Sequence, residues 1–242
     1  MSADPAGAAV GAVGAARARA TVRRNPERAS YDAEAVRAVL DATPFCHVAT
    51  VRDGRPVVLP MVHARRADTL VMHGSVAAGL FRDMRRASPV CVTATIFDGL
   101  VLARSARSHS VNYRSATVHG DATLVTDPDE VMLGMRALIE HVAPGRWERV
   151  RKPAPEELRD TALWQVRIEE ASAKARSGTT LDPESDFAWP VWAGHIPARL
   201  VFGAPVPADH LPGGVDPDGG DVTLNSAFGD VSPLAAGAGR PG

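Results

Sequence analysis

Three groups of side chains in this 242-residue chain have the types and spacing to do chemistry. The first is His73-Gly74-Ser75, where the apolar run Leu70-Val71-Met72 stops and a helical pattern begins. A strand that feeds a helix through Gly-Ser places free backbone N–H groups and a hydroxyl at a helix N-terminus, where an anion such as a cofactor phosphate is stabilised. The same residues also suit a plain cap, with Ser75 starting the helix and His73 ending the strand. The second group runs from Arg104 to Ser115 and holds three arginines, four serines, His109, Asn112 and Tyr113. Such a polar connection between β-rich runs has the character of a binding loop on a rigid scaffold. Asn112, Arg114 and Ser115 can hydrogen-bond a phosphate, a polyol chain or a ring carbonyl, and Tyr113 can stack or pack. The third is Trp189-Pro190-Val191-Trp192-Ala193-Gly194-His195, which carries two of the four tryptophans. Its indoles suit either a cover for a planar ligand, including one on a neighbouring subunit, or a lid over a barrel end.

Other chemistries find little support. The eight histidines show no HxH or HExxH spacing and no cysteine pair joins them, so a zinc site is not expected. No G-x-S-x-G elbow, P-loop or G-x-G-x-x-G is present. With 27 basic and 28 acidic residues the formal charge is −1, which gives no electrostatic footprint for nucleic acid or an anionic membrane.

The elements that must position these groups follow from periodicity. From Tyr31, Val36, Val39 and Leu40 recur at helical spacing until Pro44. Phe45 to Arg52 and Pro56 to Arg66 read as strands joined by Asp53-Gly54, a hairpin signal. Leu70 to His73 is a third strand, and from Ser75 the pattern turns helical, with Leu80, Phe81 and Met84 on one face and Pro89 beyond its end. Val90 to Ile96 and Leu100 to Ala103 are β-rich runs around Phe97-Asp98-Gly99, read as another hairpin. Tyr113 to Val125 and Leu163 to Ile168 are further strands, and Pro128 to Val142 is an amphipathic helix. Strands do not alternate regularly with helices, so a mainly β fold is expected, a closed six-stranded antiparallel barrel with flanking helices rather than a doubly wound sheet.

Residues 1–29 are low in aromatic and large aliphatic side chains, and 211–242 hold 8 glycines and 4 prolines. Both are expected to be disordered tails around a single domain at 30–210. Cys46 and Cys91 lie in apolar strand-like runs and are expected as buried thiols, one disulfide being the alternative. With no long apolar run and a poor twin-arginine signal at Arg23-Arg24, a cytoplasmic location is expected.

The order of motifs resembles a known family. Phe45-Cys46-His47-Val48-Ala49-Thr50, His73-Gly74-Ser75, Val90-Cys91-Val92-Thr93, Asp98 to Ala106, His109 to Ser115, Pro144-Gly145-Arg146-Trp147 and Trp192-Ala193-Gly194 together resemble the pyridoxamine 5′-phosphate oxidase-like proteins of the nitroimidazole-resistance (Nim) branch. The resemblance runs from about Tyr31 to Leu211 in unbroken order. It implies the FMN-binding split β-barrel, a six-stranded antiparallel Greek-key-like barrel, as a homodimer with cofactor at the subunit interface. It further implies an FMN-dependent oxidoreductase acting on a small molecule, nitroreductase-like, with electrons carried by the flavin. By position, His73 and Ser75 would lie beside the cofactor, Asn112, Tyr113, Arg114 and Ser115 would line the same cleft, His109 would exchange a proton with substrate, and Trp192 would close the pocket.

Two departures bear on this. Where the branch continues His-Gly-Ser with a hydroxyl and a phosphate-gripping cation, Val76-Ala77-Ala78-Gly79 stand here. That removes charge-assisted hydrogen bonds of roughly 1.5–3 kcal/mol each, with Arg82, Arg107 and Arg114 as candidate replacements. Arg107-Ser108 replaces an aromatic-His pair, which favours a more polar, carboxylate-bearing substrate. The altered cradle keeps open a haem-binding relative of the same fold, a haem-dependent enzyme with His73, His109 or His63 as axial ligand. It also keeps open a non-catalytic barrel that sequesters a cofactor or ligand.

Overall fold

A computed structural model describes residues 19–75, 87–213 and 223–229. The strands are β1 (Ala29–Ser30), β2 (Phe45–Arg52), β3 (Arg55–Arg66), β4 (Thr69–Ser75), β5 (Ser88–Leu102), β6 (Ser110–Val125), β7 (Thr161–Arg167), β8 (Glu170–Arg176) and β9 (Gly194–Pro197). The helices are α1 (Ala33–Asp41), α2 (Pro128–Val142) and α3 (Pro155–Asp160). Asp53 and Gly54 both take positive φ, 49° and 73°, the backbone of a tight two-residue turn, and β2 and β3 pair antiparallel with Arg52 opposite Arg55.

Six strands close a ring. Going round, β6 pairs with β7, β7 with β4, β4 with β3, β3 with β2, β2 with β5, and β5 returns to β6. All these pairings are antiparallel, and the molecule has the split-barrel fold. The long β5–β6 ribbon carries two additions outside the ring: β8 lies along Tyr113–His119 of β6, and β9 along Gly99–Leu102 of β5.

Alternation along the strands sends Cys46, Val48, Leu70, Met72, Val92, Ala116, Val118, Trp164 and Val166 into one core. Helix α1, capped by the Asp32 carboxylate accepting from the Glu34 N–H, adds Val36, Val39 and Leu40 to that core. Helix α2 covers the outside, where Val131 and Leu138 pack on Ala64, Val71 and Leu163.

The segment Phe97-Asp98-Gly99 is not a hairpin. Strand β5 runs through it from Ser88 to Leu102, and the register against β6 shifts between Phe97 and Gly99, a bulge. Gly99 sits at φ +146°, and a Cβ there would lie 2.3 Å from the Ile196 carbonyl oxygen, so a glycine is required where β9 crosses. The helix expected from Ser75 falls largely on residues 76–86, outside the described residues.

Segments flanking 30–210 also touch the barrel. The Arg19 backbone N–H and Nε both donate to the Glu170 carboxylate at 2.8 Å, and β1 pairs with β8. Asn225 Nδ2 donates to the His141 carbonyl at 2.9 Å, and Phe228 is buried edge-on to His141. Cys46 and Cys91 are both free thiols. Among the described residues no helix is long and apolar enough to cross a membrane.

Candidate functional site

The β5 bulge redirects Asp98 towards β6, where Arg114 meets it in a two-pronged pair: Nε to Oδ2 at 2.9 Å and Nη2 to Oδ1 at 2.7 Å. Asp98 raises the Arg114 guanidinium above its usual range. The pair forms part of the wall of an open cavity of about 660 Å³ that Phe45, Thr95, Phe97 and Arg199 also line. That volume suits a small-molecule or cofactor fragment, and aromatic walls beside one charged pair are the usual composition of such sites.

The neighbouring residues of β6 do not share this cavity. Asn112 is buried, donating from Nδ2 to the Gly178 carbonyl at 2.9 Å and accepting at Oδ1 from Arg176. Ser115 donates to the Lys174 carbonyl at 3.2 Å, and Tyr113 is half-buried opposite Arg176. Successive strand residues face opposite sides, so Asn112 and Arg114 lie on one face of β6 while Tyr113 and Ser115 lie on the other. Within one chain the four residues therefore lie on two faces of β6. Asn112 and Ser115 instead use their hydrogen bonds to fix the end of β8 on β6.

His73 is also remote from them in the ring. It is exposed on β4, opposite Leu163 of β7, which in turn stands opposite Val125, ten positions along β6 from Ser115. In the other direction β3, β2 and β5 intervene. Ser75 ends β4 opposite Thr161, and the anion cradle expected beyond it lies outside the described residues.

The histidines separate sharply by environment. His109 follows a 3-10 turn at Ala106–Ser108, is exposed, and donates from Nδ1 to the Ser105 carbonyl at 2.9 Å, so its other nitrogen, Nε2, is open to accept a proton. His63 is 0% exposed and donates from Nε2 to the Leu40 carbonyl at 2.9 Å, while its Nδ1 has no partner among the described residues. Burial drives its pKa down to about 4. Its ring lies 5.4 Å from that of His141, which donates from Nε2 to the Thr43 carbonyl and whose pKa burial also lowers. His63 thus links α1 and α2 within one chain.

Trp192 is 63% exposed and folds over the start of β9, where a Cβ on Gly194 would meet its ring at 2.9 Å. Within one chain it does not line the cavity beside Arg114. Sequence reasoning named His195 only with the tryptophan segment and Asp98 only in a turn and a family motif, and passed over Arg176. His195 is exposed, and its Nε2 would stand 2.8 Å from a Cβ on Gly99. Only the pairing of β9 with β5 brings those two residues together.

Comparison with known proteins places this geometry. The family model described as pyridoxamine 5′-phosphate oxidase matches residues 32–175, which span α1 and seven strands of the fold. The chain belongs to the pyridoxamine 5′-phosphate oxidase-like family. The flavocytochrome Anf3 from Azotobacter vinelandii is 37% identical, covering 87% of this chain and 99% of its own at a TM-score of 0.80. An FAD and haem binding protein from Mycobacterium smegmatis is 33% identical, covering 81% and 98% at a TM-score of 0.76. A candidate 5-nitroimidazole antibiotic resistance protein from Bacteroides thetaiotaomicron is more distant, at 21% identity, 61% and 86% coverage and a TM-score of 0.52, and shares the fold. The likeness to the family is therefore stronger towards flavocytochrome-type members than towards this Nim-type one. No match was found among curated proteins.

Proposed function

We propose that this chain is a redox protein of flavocytochrome type, which binds a flavin, FAD ahead of FMN, together with haem and works as a homodimer. The observation that carries this reading is the likeness, at 37% and 33% identity over nearly the whole of both other chains, to two proteins named for such cofactors. Bound flavin and haem would supply the electron transfer, and the protein's part is to hold and orient them.

The residues present suit that part. The cavity beside Arg114 offers aromatic walls from Phe45 and Phe97 and a second cation in Arg199. His73, His109 through Nε2, and His195 are exposed histidines suited to ligate a haem iron, and His63, buried, has an Nδ1 without a partner among the described residues. His109 would take or give a proton at Nε2, because Nδ1–H is held on Ser105. His73 and Ser75 on one side and Asn112 to Ser115 on the other are separated within one chain, so a cofactor touching both sets would lie between two copies. The exposed apolar side chains Phe45, Val58, Leu59 and Val62 on β2 and β3 suit a subunit contact, and Trp192 could then cover a cofactor on the partner.

The test is reconstitution of the full chain with FAD, FMN and haemin, read by visible absorption and light scattering. A dimer with paired oxidised-flavin bands and a Soret band is the expected result. Flavin bands from FMN without any haem uptake would return the reading to an FMN-dependent oxidoreductase. Tight uptake without reduction by any donor would make the barrel a non-catalytic binder.

A further inference from the structure

Three arginines of the barrel face carboxylates: Arg65 meets Asp41, Arg104 meets Asp182, and Arg114 meets Asp98. Arg176, the last residue of β8, differs. It is 7% exposed, and its hydrogen bonds go to neutral oxygens only: Asn112 Oδ1, the Gly178 carbonyl at 3.4 Å and the Thr179 carbonyl at 2.9 Å. Among the described residues no carboxylate pairs with it.

A guanidinium has five N–H donors, and these three bonds leave two unassigned. Arginine does not shed its proton to relieve burial, so an enclosed guanidinium without a counter-charge is expensive to keep. The surroundings increase the imbalance. Burial and the positive charge of Arg28 both push the Arg176 pKa down, against a smaller opposing effect of the Tyr113 phenol.

Arg176 lines a cavity of about 450 Å³ whose wall also includes Glu27, Arg28, Ser177, Thr179 and Thr180. Glu27 reaches Arg28 only loosely, at 3.6 Å, and is itself largely exposed. Thr180 is occupied with Asp182, whose charge Arg104 already answers through its backbone N–H and its guanidinium. Two cations against one carboxylate leave the cavity with one positive charge in excess.

We propose that this cavity is an oxyanion site, taking a phosphate or pyrophosphate group on Arg176 and Arg28 with hydroxyls from Ser177 and Thr179. It stands on charge and burial and does not depend on the flavocytochrome reading. The group can belong to a free phosphate compound or to the phosphate arm of a bound nucleotide cofactor, and the chemistry that recognises it is the same.

The experiment is calorimetric titration of the full chain with inorganic pyrophosphate at low salt, for the wild type and for Arg28→Gln, Arg176→Gln and Arg66→Gln. Single-site binding with a dissociation constant below about 1 mM is expected, with losses of at least about tenfold in the first two variants and none in the third. If Arg176→Gln fails to fold, Arg28→Gln alone decides, because the Arg28 side chain makes only a loose 3.6 Å contact to the Glu27 carboxylate. Absence of wild-type binding at about ten times that concentration, or equal binding by Arg28→Gln, overturns the proposal. Repeating the titration on protein loaded with FAD separates the sources. Loss of the pyrophosphate site there assigns it to a cofactor phosphate, and its retention assigns it to a separate phosphate ligand.

Discussion

His63 and His109 are the same residue type in opposite settings, and the two halves of the molecule differ in the same way. The ring side, where β3, β4 and β7 pack on α1 and α2, is closed by Leu163, Val71, Ala64 and Leu138, and His63 and His141 there link the helices. The β5–β6 ribbon with β8 and β9 is lined by arginine–carboxylate pairs, a bulge, an exposed histidine and two cavities. The comparison teaches that inward and outward positions divide the work, since Val92, Ala116 and Val118 of the same ribbon belong to the core. Outward positions on the ribbon are free to be polar because they alternate with the core-facing ones, while β8 and β9 pair with its backbone.

The largest expected contrast is in stability. Leu163 is fully buried and would be only 2.2 Å from a Cβ on Gly134 of α2, so Leu163→Ala should cost about 2–5 kcal/mol in urea unfolding. Trp192→Ala on the ribbon side should stay within about 0.5 kcal/mol in the isolated chain. Equal losses would erase the division between the halves.

The next effect is on pH. His63 has a folded pKa of about 4, below the ordinary value of 6.5. Its contribution is therefore complete above pH 6.5, where both states are neutral, and falls away as pH drops towards 4, because only the unfolded chain takes up the proton. The loss should be on the order of 3 kcal/mol, reinforced in the same direction by His141. Thermal melts at stepped pH should show this slope, and His63→Gln, which retains an amide donor for Leu40, should flatten it.

On the ribbon, Asp98→Asn should change stability by no more than about 1 kcal/mol, since the pair is partly exposed. It should raise affinity for FAD about tenfold by freeing Arg114, measured by flavin fluorescence quenching. Unchanged affinity would remove that cavity from the cofactor site. The smallest effect concerns Cys46, whose thiol burial raises to about 12. It should resist thiol reagents at pH 8 in the native protein and react only on unfolding.

Much of the barrel can be read in the sequence, because period decides it. The helical spacing of Val36, Val39 and Leu40 and the positive-φ pair Asp53-Gly54 leave little choice. Phe97-Asp98-Gly99 is ambiguous by composition, since the same residues make a hairpin or a bulge. Its neighbours β6 and β9 decide for the bulge. Strand β8 is alanine-rich and has weak β propensity, so only its pairing with β6 makes it a strand. The candidate site is less legible for the same reason. Composition marked Arg114 and His109 as ligand-competent, but the two faces of β6 separate Arg114 from Tyr113 and Ser115, and only the buried end of β8 reveals that Arg176 lacks a counter-charge.

The central claim is tested most directly by loading the full chain with FAD and haemin, photoreducing the flavin without oxygen, and following the haem spectrum. The account predicts that both chromophores bind and that the haem is reduced as the flavin gives up its electrons. A protein that takes up neither group, or one whose haem stays oxidised beside fully reduced flavin, contradicts it.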